Sequence, residues 1–110
     1  VLHQRTLALS KHDGSMMIRD RLIGRGTHAC RWHFHLAPGV EACVRDSTTV
    51  ELRAGGRRWQ LRHHESLSVS IVDARYSPSY GTAIACRAID MALTVSVDDE
   101  VRWEFGLGPC

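Results

Sequence analysis

The chain has 110 residues, 44% hydrophobic and 24% charged, which is one globular domain's worth of sequence and excludes both a disordered segment and a multidomain machine. Its 14 Lys and Arg against 12 Asp and Glu leave a formal charge of +2 with the signs interspersed, so composition gives no electrostatic footprint for nucleic acid or an anionic membrane. No apolar stretch approaches the roughly 20 residues of a membrane span, and the opening VLHQRTLALS lacks the layout of a signal peptide.

Period-two alternation punctuated by turn signals runs through the whole chain, and helix is hard to place anywhere. Leu7 and Leu9 alternate with polar or small neighbours, Asp13-Gly14 supplies a hairpin-type turn, and Met16 and Ile18 start a return strand that Gly24 and Gly26 break. Cys30, Trp32, Phe34 and Leu36 then fall on one face and Arg31, His33 and His35 on the other, until Pro38-Gly39 ends the run. Val50 and Leu52, Gly55-Gly56, and Trp59 and Leu61 make a second hairpin, because paired glycines permit the positive φ of a two-residue turn. Leu67, Val69 and Ile71 follow. The segment YSPSYG reads as a loop, after which Ile84, Cys86 and Ala88 lead to Met91, Leu93, Val95 and Val97. Asp98-Asp99 reads as a turn into Val101, Trp103 and Phe105. The expectation is an all-β fold, an antiparallel two-sheet sandwich of about eight strands. The start inside an alternating pattern, without an initiating Met, reads as a segment of a longer polypeptide whose export signal, if any, lies upstream.

Four cysteines, Cys30, Cys43, Cys86 and Cys110, form no C-x-x-C pair, so neither a ribbon-type zinc site nor a thioredoxin motif is present. Free thiols are the favoured reading, with one or two disulfides as the alternative; Cys30 and Cys86 alternate with apolar neighbours as small hydrophobes do. Seven histidines are the most unusual feature of the composition. His33 and His35 lie two apart on one strand face, with Cβ atoms roughly 7 Å apart. Such a pair either converges on a metal or on a ligand across the sheet, or simply flanks a tryptophan strand at the surface. His63 and His64 point to opposite faces and read as turn or surface residues. Asp20 interrupts an apolar strand; buried, it needs a metal, an imidazole or an arginine, and otherwise it faces solvent beside Arg19, Arg21 or Arg31. Thirteen of the 14 basic residues are arginines, whose planar fork suits the carboxylates of acidic sugars, and codon bias explains the same preference equally well. Trp32, Trp59 and Trp103 occupy apolar-face positions, which favours core packing over stacking on sugars. No Ser/His/Asp order, G-x-S-x-G or phosphate-cradling glycine loop occurs, and Asp98, Asp99 and Glu100 read as a turn rather than a paired-carboxylate site.

Three segments in order, HQRTLALS with its return strand MMIRDRLIG, the block HACRWHFHLAPGV, and the late ARYSPSYG, resemble the C-terminal β domain of heparinase II/III-like polysaccharide lyases. The resemblance implies that residues 1–110 are a single β-sandwich domain, the C-terminal fragment of a larger protein whose N-terminal α/α toroid is missing here. The substrate cleft lies between the two. Family members cleave uronic-acid polysaccharides by β-elimination, with the principal tyrosine and histidine acid/base residues coming largely from the toroid, so no catalytic residue is assigned here and the isolated chain is expected to be inactive. Arg31, His33 and His35 become substrate-cleft candidates facing the toroid and its acidic polysaccharide. A zinc held by two histidines and an aspartate in some members maps onto His3, Asp20 and His35, with His33 as a competitor. An Asp13-Gly14 turn places Asp20 opposite Leu7 and His3 opposite Gly24, too far apart for one ion; a turn centred on Lys11-His12 brings His3 opposite Asp20. The family's substrates imply a periplasmic or extracellular protein. The alternative is a non-catalytic carbohydrate-binding or structural β-sandwich module.

Overall fold

A computed structural model describes residues 2–9, 14–76, 81 and 83–109. Its described residues form seven strands and no helix: β1 (Leu2–Leu9), β2 (Met16–His35), β3 (Glu41–Val44), β4 (Thr49–Ala54), β5 (Arg57–Arg62), β6 (Ser68–Tyr76) and β7 (Ile84–Pro109). Every pairing is antiparallel, in the order β1-β2-β7-β5-β4-β3, with β6 also on β7.

Two very long strands organise the molecule. β2 and β7 pair without interruption from Met16↔Leu107 to His35↔Ala88. The other edge of β7 is divided: its first half takes β6, from Ser68↔Ala92 to Tyr76↔Ile84, and its end takes β5, from Trp59↔Pro109 to Arg62↔Gly106. The β2–β7 ribbon therefore belongs to two layers, which turn their apolar faces to one another. Gly24 and Gly26 do not break β2, and Asp98-Asp99 is not a turn between strands. These residues pair, Gly24 with Asp99 and Arg25 with Asp98, and the backbone bends there through positive φ at Gly26 (92°) and Asp99 (94°). A bend in a continuous ribbon and a hairpin carry the same small and acidic residues, which is why two pairs of expected strands are one strand each.

The core lies between the layers. Ile18, Leu22, Trp103 and Phe105 from one half of the ribbon meet Trp32, Ile89 and Met91 from the other, with Val50, Leu52, Leu61 and Leu67 closing the space. Trp32 packs edge-on to Trp103 with ring centroids 5.1 Å apart, and Phe34 meets Phe105 at 5.4 Å, so aromatic contacts themselves join the layers. The tryptophans are core residues: Trp32 and Trp103 are buried and Trp59 is half-buried against the same cluster. Gly55 and Gly56, at φ 56° and 76°, form the two-residue turn between β4 and β5. Cys30, Cys43 and Cys86 are free thiols, with Cys86 buried and Cys30 packed on the core. His63 is not a surface residue: it is 6% exposed, its Nδ1 lies 2.9 Å from the His64 carbonyl, and its Nε2 is buried without a hydrogen-bond partner. Residues 10–13 between β1 and β2, which include Asp13 of the expected turn, the interior of the YSPSYG loop, and Cys110 lie outside the described residues.

Candidate functional site

Asp20 is 1% exposed. Alternation puts it on the inner face of β2 with Ile18 and Leu22, where a bare carboxylate would be costly. The β1–β2 register sets Arg5 directly opposite Asp20 and His3 opposite Leu22, midway between the two registers that the sequence allows. Arg5 donates from Nε to Oδ1 and from Nη2 to Oδ2, both at 2.8 Å, and the Trp32 indole donates to Oδ2 at 2.6 Å. His3 Nε2 stands 3.5 Å from Oδ2 on the cross-strand diagonal. Burial is the largest influence on the Asp20 carboxyl and pushes its pKa up. The hydrogen bonds from Arg5 and Trp32, with the charges of Arg5 and His3, together outweigh it and hold the group below its ordinary value. The Asp20 hydrogen bond correspondingly raises the Arg5 guanidinium. Arg5 also lies over the Phe34 ring, 5.6 Å from its centroid. One ionised carboxylate thus ties β1, both halves of β2 and the tryptophan of the core together.

The zinc candidates are divided by this arrangement. His3 and Asp20 are neighbours, whereas His35 shares the outward face of β2 with His33, opposite to Trp32 and Phe34. Both Asp20 oxygens accept hydrogen bonds, and a guanidinium sits where a cation would bind. Residues so placed do not fit a zinc ion, and the described residues hold no group of three or more metal-ligating side chains. Of the partners open to Asp20, an arginine makes the hydrogen bonds, with the His3 imidazole 3.5 Å away, and that arginine is Arg5 rather than Arg19, Arg21 or Arg31. Those three face outward, to Glu104, Glu100 and Asp90 respectively.

The outward face of the second layer brings together Arg31, His33 and His35. Arg31 Nη2 meets Asp90 Oδ2 at 2.6 Å, and His33 Nδ1 lies 3.7 Å from Asp90 Oδ1 because Asp90 is its direct partner on β7. The His33 and His35 rings meet edge to face at 4.5 Å. Beside this strip the facing positions of β7 and β6 are Ala88, Ala92, Ser68, Ser70 and Val72, small or short side chains that leave the imidazoles and guanidinium standing above the sheet. Chemically the strip offers a planar cationic donor and two exposed imidazoles, one of them held beside a carboxylate. Asp90 and Arg5 escaped sequence reasoning. Asp90 is a lone charge in the apolar run Ile89 to Val97, a signal of the same kind as Asp20, but its partner depends on a β2–β7 register that only the fold provides.

Fold and geometry define the class: an antiparallel β domain whose polar chemistry stands on a strand face instead of inside an enclosed pocket. The chain belongs to the heparinase II/III-like C-terminal domain family, whose model matches residues 1–104. No curated protein matches the chain. A family defined as a C-terminal domain implies a larger polypeptide with other domains.

Proposed function

We propose that this chain is the β domain of a polysaccharide lyase that cleaves uronic-acid glycans by β-elimination, supports one wall of the substrate cleft, and has no activity alone. The observation that carries the reading, in a member of this family, is the convergence of Arg31, His33 and His35 on one exposed strand face over Asp90. Removing the proton at C5 of a uronate drives negative charge toward its carboxylate, and a fixed guanidinium with neighbouring imidazole donors is suited to neutralise it. The face turns toward an N-terminal α/α toroid of the same polypeptide, which brings the principal acid/base residues. Such polymers lie outside the cytoplasm, so the reading carries a periplasmic or extracellular place of action, open to test by cell fractionation. The carbohydrate-binding module reading gains no support from tryptophan platforms, since Trp32 and Trp103 are buried. In the full-length parent, His35→Ala is expected to lower turnover about tenfold through lost positioning while leaving the thermal midpoint unchanged; unaltered turnover would remove His35 from the cleft.

A further inference from the structure

The outer face of the other layer carries a second charged constellation. Glu51 is 4% exposed, although Val50 and Leu52 beside it point into the core and Glu51 points away from it. Three arginine side chains cover it. Arg45 Nε lies 2.5 Å from Oε2, Arg53 Nε 2.9 Å from Oε1, and Arg58 Nη1 3.8 Å from Oε1. The Arg53 hydrogen bond, the largest influence, and the three positive charges hold the Glu51 carboxyl below its ordinary value against burial.

This cluster is unbalanced in a way the ion pairs of β2 and β7 are not. On β2 and β7, Arg19 has Glu104, and Arg21 and Arg102 share Glu100. Around Glu51, three guanidiniums share one carboxylate. Arg53 and Arg58 are direct cross-strand partners, an arrangement that like charges make unfavourable. Arg62 extends the row on the same face, its guanidinium lying over Gly106, where a Cβ would stand 3.8 Å from Nε. Glu41, opposite Arg53, has its carboxylate 3.9 Å from Arg87 instead. Arg53 donates from Nε to Glu51 Oε1, whereas Glu51 Oε2, with Arg45 Nε 2.5 Å away, is buried without a hydrogen-bond partner among the described residues, so one carboxylate engages few of the donors that three guanidiniums carry. Glu51 thus gathers three half-exposed forks around one carboxylate and supplies a third of the charge needed to neutralise them.

We infer that Arg45, Arg53 and Arg58, gathered around Glu51 on the outer face of β3–β5, form a second binding site for an acidic polysaccharide, taking its carboxylate or sulfate groups. This site is on the opposite outer surface from the Arg31 strip; its ligand class rests on the lyase reading above. The planar fork favours carboxylate and sulfate recognition through paired hydrogen bonds, and the described outer face near the cluster presents short polar side chains, Thr49, Gln60 and Cys43, without an aromatic platform on which nucleic-acid bases would stack.

The experiment uses the full-length parent and measures equilibrium binding to polyuronate and to heparan-type chains across a salt series, together with cleavage of short oligosaccharides. Arg53→Gln/Arg58→Gln is expected to weaken binding to the long polymer about tenfold and to make its salt dependence shallower, with turnover of short substrates unchanged. Arg58→Gln alone, which leaves the two closest partners of Glu51 in place, is expected to show part of the same loss should the double variant not fold. Cys43 is exposed and directly opposite Glu51, so bound polymer is expected to slow its alkylation in the wild type. Wild-type polymer affinity in a folded variant, unprotected Cys43 under saturating polymer, or equally tight arginine-dependent binding of duplex DNA would each overturn the inference. A parent that binds polymer through these arginines yet cleaves none would overturn the lyase reading and leave this site standing.

Discussion

Asp20 is ionised at 1% exposure because Arg5, Trp32 and His3 all face it. Removing the carboxylate strands the Trp32 donor in the core and frees Arg5 from the sheet, so Asp20→Ala is expected to cost about 3 kcal/mol in chemical denaturation. Trp32→Phe keeps an aromatic ring in the core but loses part of the indole's packing and removes a donor to a charged acceptor, for at least about 2 kcal/mol. The pH dependence follows from the direction of the Asp20 shift. Because its folded pKa lies below the ordinary carboxylate value, its contribution is fully present above the unfolded pKa of about 3.9 and is lost as pH falls through the depressed folded value. Acid titration of stability should therefore steepen below about pH 4 in the wild type, and Asp20→Asn should be flatter in that window. Equal slopes for the two proteins would show that Asp20 titrates alike folded and unfolded.

At the scale of elements, the bend in the β2–β7 ribbon decides the architecture. Asp99 pays for its place with φ 94°, a region L side chains rarely enter, so Asp99→Gly is expected to stabilise by roughly 1 kcal/mol. Gly26, at φ 92° with open space where a Cβ would go, should lose about 1–2 kcal/mol on replacement by Val through strain alone; thermal melts of both variants check the pair. The same bend marks the limit of sequence reading. Alternation in CRWHFHL and the Gly55-Gly56 turn announce their strands, because inside and outside differ at every second residue. It is silent on whether Gly24 and Asp99 end strands or bend them, since the apolar period resumes on the same face either way. Register is equally hidden. The Arg5–Asp20 pairing turns on a hairpin count that local residues leave open by two positions, and that count separates an arginine clamp from a metal site. Outward strips such as Arg31, His33 and His35 are legible from period two, while Asp90 beneath them requires the strand next door.

Taken as a whole, the molecule is one sheet folded into two layers with a charged outer surface on each side. The Arg31–His33–His35 strip and the arginine cluster around Glu51 face in opposite directions. On the two proposals above, one side serves the cleft and the other a more distant stretch of the same anionic chain. Among the described residues no helix is long and apolar enough to cross a membrane. The most direct measurement is the ultraviolet absorbance of newly formed unsaturated uronate ends, followed for the full-length parent, its His35→Ala variant and the isolated 110-residue chain on heparan-type and alginate-type polymers. The expected result is a strong signal from the parent, a weaker one from the variant and none from the isolated chain. Silence from the parent on every uronate polymer, or activity in the isolated chain, would contradict the assignment of this domain as a supporting wall of a lyase cleft.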